Sequence, residues 1–588
     1  MEKALFFLKK YKLIFITSLF FLIFSQLNFT NTEFTVYESY NRSIVYDLDL
    51  NIKNQFFFED DKKIVTPNGY FYTHHNYGSA LLQTPFFVYA SQLGKINNLE
   101  RTFPLSIKER PEKTGIGLKG FHFRPGTQED FEQESASVAN IFIFLLAFFL
   151  FIKEFTGRYK IENPFNFKLA NILLLLSGPA LHYLLYAQST PNLTTLLPLF
   201  LIFYFSRRLD SYENNLLLGI SFGLGFSIRH DFAVYGIFIL LWWTIYKPGI
   251  KKALMQAVGL FSIVIPALIF EYNKLGHLHF GYLDTFYFNL STLSDMLFSS
   301  YGGIFFVHPA FLIVISIAIY GIYFSKDRTQ NKTLELAAAF LIIFIKTALL
   351  GLTFSHNGGV LGGRQVIQDY LLISLFASML LCGQKKNVLW IIPFALWNFV
   401  LGLVYKSAHI TKVNFFQVDD TYFSFFKRTF EGITEVFTFN NVIHIYSILN
   451  IIVNYSLLLF FIIFIIYKLK YRLRYLLYIV VVLNLTIISL DYKRGKDKVS
   501  THDIETDSMN VLMYYENMGS ILERLYYLSA QQRQNNSETV RYLKLAKEYQ
   551  ETSLKDINKQ DINLFDYFKH HGDAQFTLYL NTFLKDDK

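Results

Sequence analysis

The chain alternates between long apolar runs and shorter polar loops, many of which carry Lys and Arg. The runs approach the roughly 20 apolar residues that an α-helix needs to cross a membrane. We predict thirteen spans, counting the broken run 216–243 twice. The predicted spans are 13–27, 138–152, 169–186, 193–205, 216–243, 253–270, 305–324, 334–354, 366–382, 388–404, 445–467 and 475–490. The predicted fold is an all-α polytopic membrane protein.

The run 216–243 is interrupted by the charged triplet Arg229-His230-Asp231. Basic residues lie on both flanks of the run, and cytoplasmic loops are the ones that collect Lys and Arg. Both flanks therefore lie on one side, and the run crosses an even number of times. We predict two short spans with the triplet at their outer turn. Broken spans are tolerated where they are buried in protein or line a cavity.

Four lysines precede the first span, which places the amino terminus in the cytoplasm. No small-residue cleavage site follows, so we expect an uncleaved span rather than a signal peptide. A large first extracytoplasmic loop then covers about 31–134, and within it 81–93 is predicted as a helix on the membrane surface. The odd span count places a polar, mainly helical tail, 492–588, outside as well. The membrane domain would cover 1–491.

Composition supports a membrane protein. Hydrophobic residues make up 52% of the 588 positions and charged residues only 17%, against about 25% in soluble domains. The net charge of +9 arises partly in short loops between apolar runs, so it indicates orientation and no nucleic-acid partner. Cys382 is the sole cysteine, which excludes an internal disulfide and a cysteine-based metal cage.

The first outer loop contains a pair of carboxylates, Asp47 and Asp49, about twenty residues beyond the first span. In an extended backbone both side chains would point to one face, whereas in a helix they would diverge. Paired carboxylates suit a general base or a metal ligand. The alternative interpretation is a solvated loop with no chemical role.

Two arginines of the predicted outer turns are candidates for binding phosphate. Arg229 sits at a membrane boundary, where it snorkels, pairs with Asp231 or meets an anionic ligand. Arg364 lies in a glycine-rich turn and offers a second planar donor, with a lipid headgroup contact as its alternative. His74 and His75 lack a further nearby ligand at zinc spacing, so we expect no metal site there.

Four stretches together resemble one family: the segment 69–86 behind the acidic pair, GLGFSIRHD at 223–231, YNKLGHLHFGY at 272–282 and GGVLGGRQ at 358–365. Their content and order are similar to the polytopic glycosyltransferases of the C superfamily. That group includes the protein O-mannosyltransferases and the lipid A aminoarabinose transferases. The resemblance covers about 10–405 and does not extend to the tail.

The resemblance implies an inverting transfer of a sugar from a polyprenyl-phosphate-type lipid donor to a glycan, lipid or protein acceptor outside the cytoplasm. It puts the catalytic base on Asp47 first and Asp49 second. The family's usual Asp-Glu or Glu-x-Asp is Asp-Leu-Asp in this chain. Arg229 and Arg364 would hold the donor phosphate. Divalent metal dependence varies in the superfamily, so the cofactor stays open: the sequence allows a divalent metal without requiring one.

The sequence leaves other classes open. A transporter or flippase is also polytopic, but it more often carries charges deep in the membrane and repeated halves. A polymerase or ligase of surface polysaccharide works on the same side and usually has a larger late loop than 406–444. A noncatalytic scaffold leaves the gathered polar groups unexplained. Under the family interpretation, His74, His75 and Asp231 are candidates for substrate binding in a bacterial inner membrane.

Overall fold

A computed structural model describes most of the predicted spans. It covers 32–52, 76–96, 128–185, 191–275, 303–324, 330–351, 366–383, 385–410 and 473–498, with isolated residues at 17, 20, 21, 70, 73, 294, 297, 298 and 427. Throughout these ranges the regular structure is helical, with no strand. The predicted all-α class is confirmed for this part of the chain.

The helices follow one another in the order of the apolar runs. The first eight are α1 Thr32–Arg42, α2 Gly78–Ile96, α3 Gln128–Arg158, α4 Pro164–Ser177, α5 Pro179–Leu185, α6 Pro191–Thr194, α7 Leu196–Phe205 and α8 Tyr212–Ile228. The next nine are α9 Gly236–Tyr246, α10 Ile250–Leu275, α11 Ile304–Val307, α12 Pro309–Phe324, α13 Gln330–Gly351, α14 Ile367–Leu381, α15 Lys385–Leu389, α16 Ile392–Ile410 and α17 Leu473–Lys498.

Two of the described helices are long and apolar enough to cross a membrane, within Glu134–Arg158 and Ile250–Lys274. A third is added if α4 and α5 form one span, although they bend by 71° at Gly178. Several further apolar helices are shorter. The structure is therefore compatible with a membrane protein, and the predicted number of thirteen spans stays a prediction. The span 445–467 and the tail beyond Lys498 lie outside the described residues, as does nearly all of 13–27.

The predicted break in the run 216–243 is confirmed as a break between helices. Ser211 caps the start of α8, because its side chain accepts a hydrogen bond from the Asn214 amide at 3.0 Å. The helix ends at Ile228, and a 3-10 turn, His230–Tyr235, leads into α9. The charged triplet therefore lies at the break between α8 and α9, outside both α-helices.

Helices α8 and α10 pack closely against each other. A Cβ atom added to Gly219 would lie 2.0 Å from the carbonyl oxygen of Gln256, and one added to Gly259 would lie 2.1 Å from that of Leu216. Small residues permit such close contact between backbones, which is how apolar helices associate within a membrane. Helix α17 packs along the same pair and also contacts α2.

Two elements of the predicted first loop differ from the expectation. Helix α1 was not predicted, and it leads directly into the acidic stretch. The predicted surface helix 81–93 is present as α2, but most of its described side chains are buried. Gln83 illustrates this burial, since it bonds Asn41 of α1 at 2.6 Å and Asn140 of α3 at 2.7 Å. Helix α2 is thus packed among other helices of the protein.

Candidate functional site

The acidic stretch forms a tight turn rather than an extended strand. A π-helical turn, Ser43–Asp47, ends at Leu48, whose φ of 55° lies in the left-handed region. Leucine rarely adopts this conformation, because its Cβ crowds the backbone. The chain then reverses, and the Asp49 amide donates to the Ser43 carbonyl at 3.3 Å. Asp47 and Asp49 therefore do not lie on an extended backbone, in which both side chains would point to one face.

The turn gives its two carboxylates different environments. Asp49 is 2% exposed, and one of its oxygens accepts hydrogen bonds from Ser43 Oγ at 2.6 Å and from the Asn51 amide at 3.1 Å. Asp47 is partly exposed at the end of the π-helical turn. Asp49 therefore stabilises the turn, whereas Asp47 keeps part of its surface exposed. This difference could not be read from an Asp-x-Asp pattern.

A buried ionic network lies beneath the turn. The guanidinium of Arg42 is fully buried between the carboxylates of Glu38 and Glu132, the latter at 2.9 Å. Tyr46, the neighbour of Asp47, donates its hydroxyl hydrogen to Glu132 and lies 2.9 Å from Ser91 Oγ. Buried charges persist when they are paired and hydrogen-bonded, so this network fixes α1 against α2 and α3.

The sequence interpretation missed these network residues. Glu38, Arg42 and Glu132 all fall within the predicted outer loop, in which only 81–93 was predicted as a helix. One signal was available, because Glu38 and Arg42 are spaced i, i+4 and so face each other on a helix. Glu132 sits on the amino-terminal extension of α3, six residues before the predicted span begins.

Arg229 and Asp231 form a second cluster at the break between α8 and α9. Arg229 Nε lies 2.8 Å from one Asp231 oxygen and Nη2 lies 3.1 Å from the other, while Nη1 donates to Asn192 Oδ1. The Asp231 pairing considered from the sequence is thus present. Both side chains remain about one-fifth exposed, at 22% and 24%. The pair is therefore accessible to a ligand as well as internally satisfied.

A buried lysine extends this cluster. Lys346 Nζ lies 3.1 Å from Asp369 Oδ2 and 3.9 Å from Asp231 Oδ2. It also donates to the hydroxyl of Tyr235 at 3.1 Å, and that hydroxyl donates to Asp369 Oδ1 at 2.7 Å. Two cations and two carboxylates alternate across α13, α14 and the break between α8 and α9. Lys346 was placed inside a predicted span without a role, although an ionisable residue in such a span is a functional signal.

The two clusters lie at one end of the helix bundle. Asn76, just before α2, donates to the ring of His230 at 3.3 Å. A Cβ atom on Gly78 would lie 2.4 Å from the carbonyl oxygen of Ser227, so the start of α2 sits against the end of α8. Lys274, at the end of α10, donates to the Thr73 carbonyl at 2.8 Å. Asn76 and Gly78, at the start of α2, therefore lie beside the Arg229 turn.

The opposite end of the bundle is dominated by arginine. The buried carboxylate of Glu335 pairs with Arg158 at 3.2 Å and with Arg207, and it accepts the hydroxyl hydrogen of Tyr159. Arg158 also stacks on Phe203, with its guanidinium carbon 3.9 Å from the ring centroid. Such contacts stabilise a guanidinium without water. Arg158 and Arg207 are therefore paired with Glu335 at this end of the bundle, where Arg208 also pairs with Glu154.

The remaining predicted site residues are His74, His75 and Arg364, and all three lie outside the described residues. Within the described ranges, no group of three or more His, Cys, Asp or Glu side chains is placed to hold a metal ion. Comparisons with known proteins find no match, either among protein-family models or among curated proteins or solved structures.

Proposed function

We propose that this chain is a polytopic membrane glycosyltransferase that moves a sugar from a polyprenyl-phosphate-type lipid donor to an extracytoplasmic glycan, lipid or protein acceptor. The observation that carries the proposal is the arrangement at one end of the bundle. A partly exposed carboxylate, Asp47, ends a turn whose second carboxylate is buried, and a partly exposed arginine, Arg229, lies at a helix break at the same end.

In this mechanism Asp47 accepts the proton of the acceptor hydroxyl as its oxygen attacks the anomeric carbon of the donor sugar. The new C–O bond forms on the face opposite the phosphate, so the configuration inverts. The bond between the sugar and the lipid phosphate breaks, and its electron pair leaves with the phosphate oxygen. Arg229, with Arg364 from the sequence interpretation, would stabilise the charge that develops there.

We also propose a membrane topology for the chain. Thirteen spans would place the first loop and the tail 492–588 outside a bacterial inner membrane, with the arginine-rich end in the cytoplasm. The contact between Leu50 and Asp491, described below, supports a common side for the first loop and the end of α17. The arginines at the other bundle end agree with the positive-inside tendency.

The proposal is tested with purified full-length protein in nanodiscs and a polyprenyl-phosphate sugar labelled in the sugar. Transfer of label to an acceptor, with release of the lipid phosphate, supports it. A flippase would instead move intact labelled lipid between the leaflets of a sealed vesicle without forming product. Lipid movement without transfer would therefore contradict the transferase and favour that alternative.

A further inference from the structure

Asp491, close to the end of the last described apolar stretch, reaches the acidic turn from 441 residues away in sequence. One of its carboxylate oxygens accepts the Leu50 backbone N–H at 2.9 Å, and the other accepts the Tyr70 hydroxyl hydrogen at 2.8 Å. The side chain is 3% exposed. A buried carboxylate at the end of an apolar helix, bound to two donors near the candidate base, is a signal of function.

Contacts along helix α17 fix the position of Asp491 relative to α2 and α8. At its start, Arg474 pairs with Glu213 at 3.0 Å. Near its middle, Asn484 Oδ1 accepts the Tyr77 hydroxyl hydrogen at 2.7 Å. Asn484 and Asp491 are seven residues apart, close to two helical turns, so they lie on one face of the helix. Both contact residues of the predicted first outer loop, Asn484 at Tyr77 and Asp491 at Leu50 and Tyr70.

The turn itself depends on contacts from outside. Its left-handed Leu48 is a conformation that persists only where the surroundings hold it. Asp49 closes the turn from within through Ser43. Asp491 closes it from the other side through the Leu50 amide, immediately after Asp49. Loss of the Asp491 contact would therefore free the backbone that carries both Asp47 and Asp49.

We propose that Asp491 is a positioning residue that holds the acidic turn in its working conformation, so that α17 completes the candidate site. The catalytic consequence rests on the proposed function, whereas the structural role does not. A carboxylate supplies the two acceptors that this position needs. An asparagine supplies one acceptor and turns an N–H₂ group toward a donor, which leaves a buried donor unsatisfied.

The direct test measures hydrogen–deuterium exchange over 43–52 in full-length Asp491→Asn. Loss of a hydrogen bond to a charged group should speed exchange at Leu50 by about tenfold relative to wild type. The matched control is Val482→Ala, which changes an exposed side chain of the same helix. It should leave exchange at Leu50 unchanged. Equal exchange at Leu50 in wild type and Asp491→Asn would overturn the positioning role.

The kinetic test separates positioning from packing. In Asp491→Asn we expect kcat to fall about tenfold at saturating lipid donor, with KM for the donor unchanged, because the base moves while the phosphate contacts stay. Val482→Ala should keep the wild-type kcat. A wild-type kcat in Asp491→Asn would overturn the role. A wild-type protein without transferase activity would refute the proposed function, and the exchange measurement would still decide the role of Asp491.

Discussion

Lys346→Met should destabilise the protein severely, because it removes the cation from a buried ion pair. Lys346 and Asp369 are 4% and 0% exposed, and their charged atoms lie 3.1 Å apart. At an effective dielectric constant of about 20, two unit charges at this distance attract by about 5 kcal/mol before desolvation is subtracted. Removing one partner of a buried pair costs about 3–5 kcal/mol, since the other charge stays buried.

The assay is unfolding in SDS followed by far-UV circular dichroism. The matched control is Lys251→Met, which makes the same change at an exposed position of α10 and should alter the free energy of unfolding by less than about 0.5 kcal/mol. The double variant Lys346→Met with Asp369→Asn removes the uncompensated charge and keeps an acceptor for Tyr235. It should recover about half of the loss. Equal stability of Lys346→Met and Lys251→Met would refute the interpretation of this cluster.

Three further predictions follow from the same structure. Gly219→Ala should lower the free energy of unfolding by about 1–3 kcal/mol in the SDS assay, because its Cβ would meet the Gln256 carbonyl. The control Gly157→Ala has open space around its Cβ and should raise that free energy by up to about 1 kcal/mol. Equal effects of the two substitutions would contradict the close packing of α8 on α10. Arg229→Lys keeps the charge but loses bidentate geometry, so turnover and donor affinity should both fall; unchanged kinetics with lower stability would leave Arg229 as a partner of Asp231 alone. Reporter fusions should place residues 60 and 540 outside and 330 inside; a cytoplasmic 540 would remove one span.

The sequence predicted the helical class and most helix positions because apolar runs of a set length leave the backbone few alternatives in a membrane. It also located the break between α8 and α9, since a charged triplet inside an apolar run cannot continue through lipid. The bend of 71° between α4 and α5 was missed. A local signal was present in the dipeptide Gly178-Pro179, because proline ends a preceding helix, and Gly178 also packs closely against Tyr370 of α14.

The candidate site was predicted in part. The sequence identified Asp47, Asp49, Arg229 and Asp231 as residues at polar boundaries. It could not distinguish the buried carboxylate from the partly exposed one, because that difference arises from the left-handed Leu48. Long-range partners such as Asp491 were equally beyond reach, since a pairing across 441 residues depends on tertiary packing.

The central claim is that Asp47 acts as the base of a lipid-dependent glycosyl transfer. The most direct measurement is the turnover of Asp47→Asn beside wild type, with labelled polyprenyl-phosphate sugar and equal amounts of folded protein. The substitution keeps the size of the side chain and removes the proton acceptor, so turnover should fall by about two to four orders of magnitude at unchanged stability in SDS. Turnover near the wild-type value in Asp47→Asn would contradict the account.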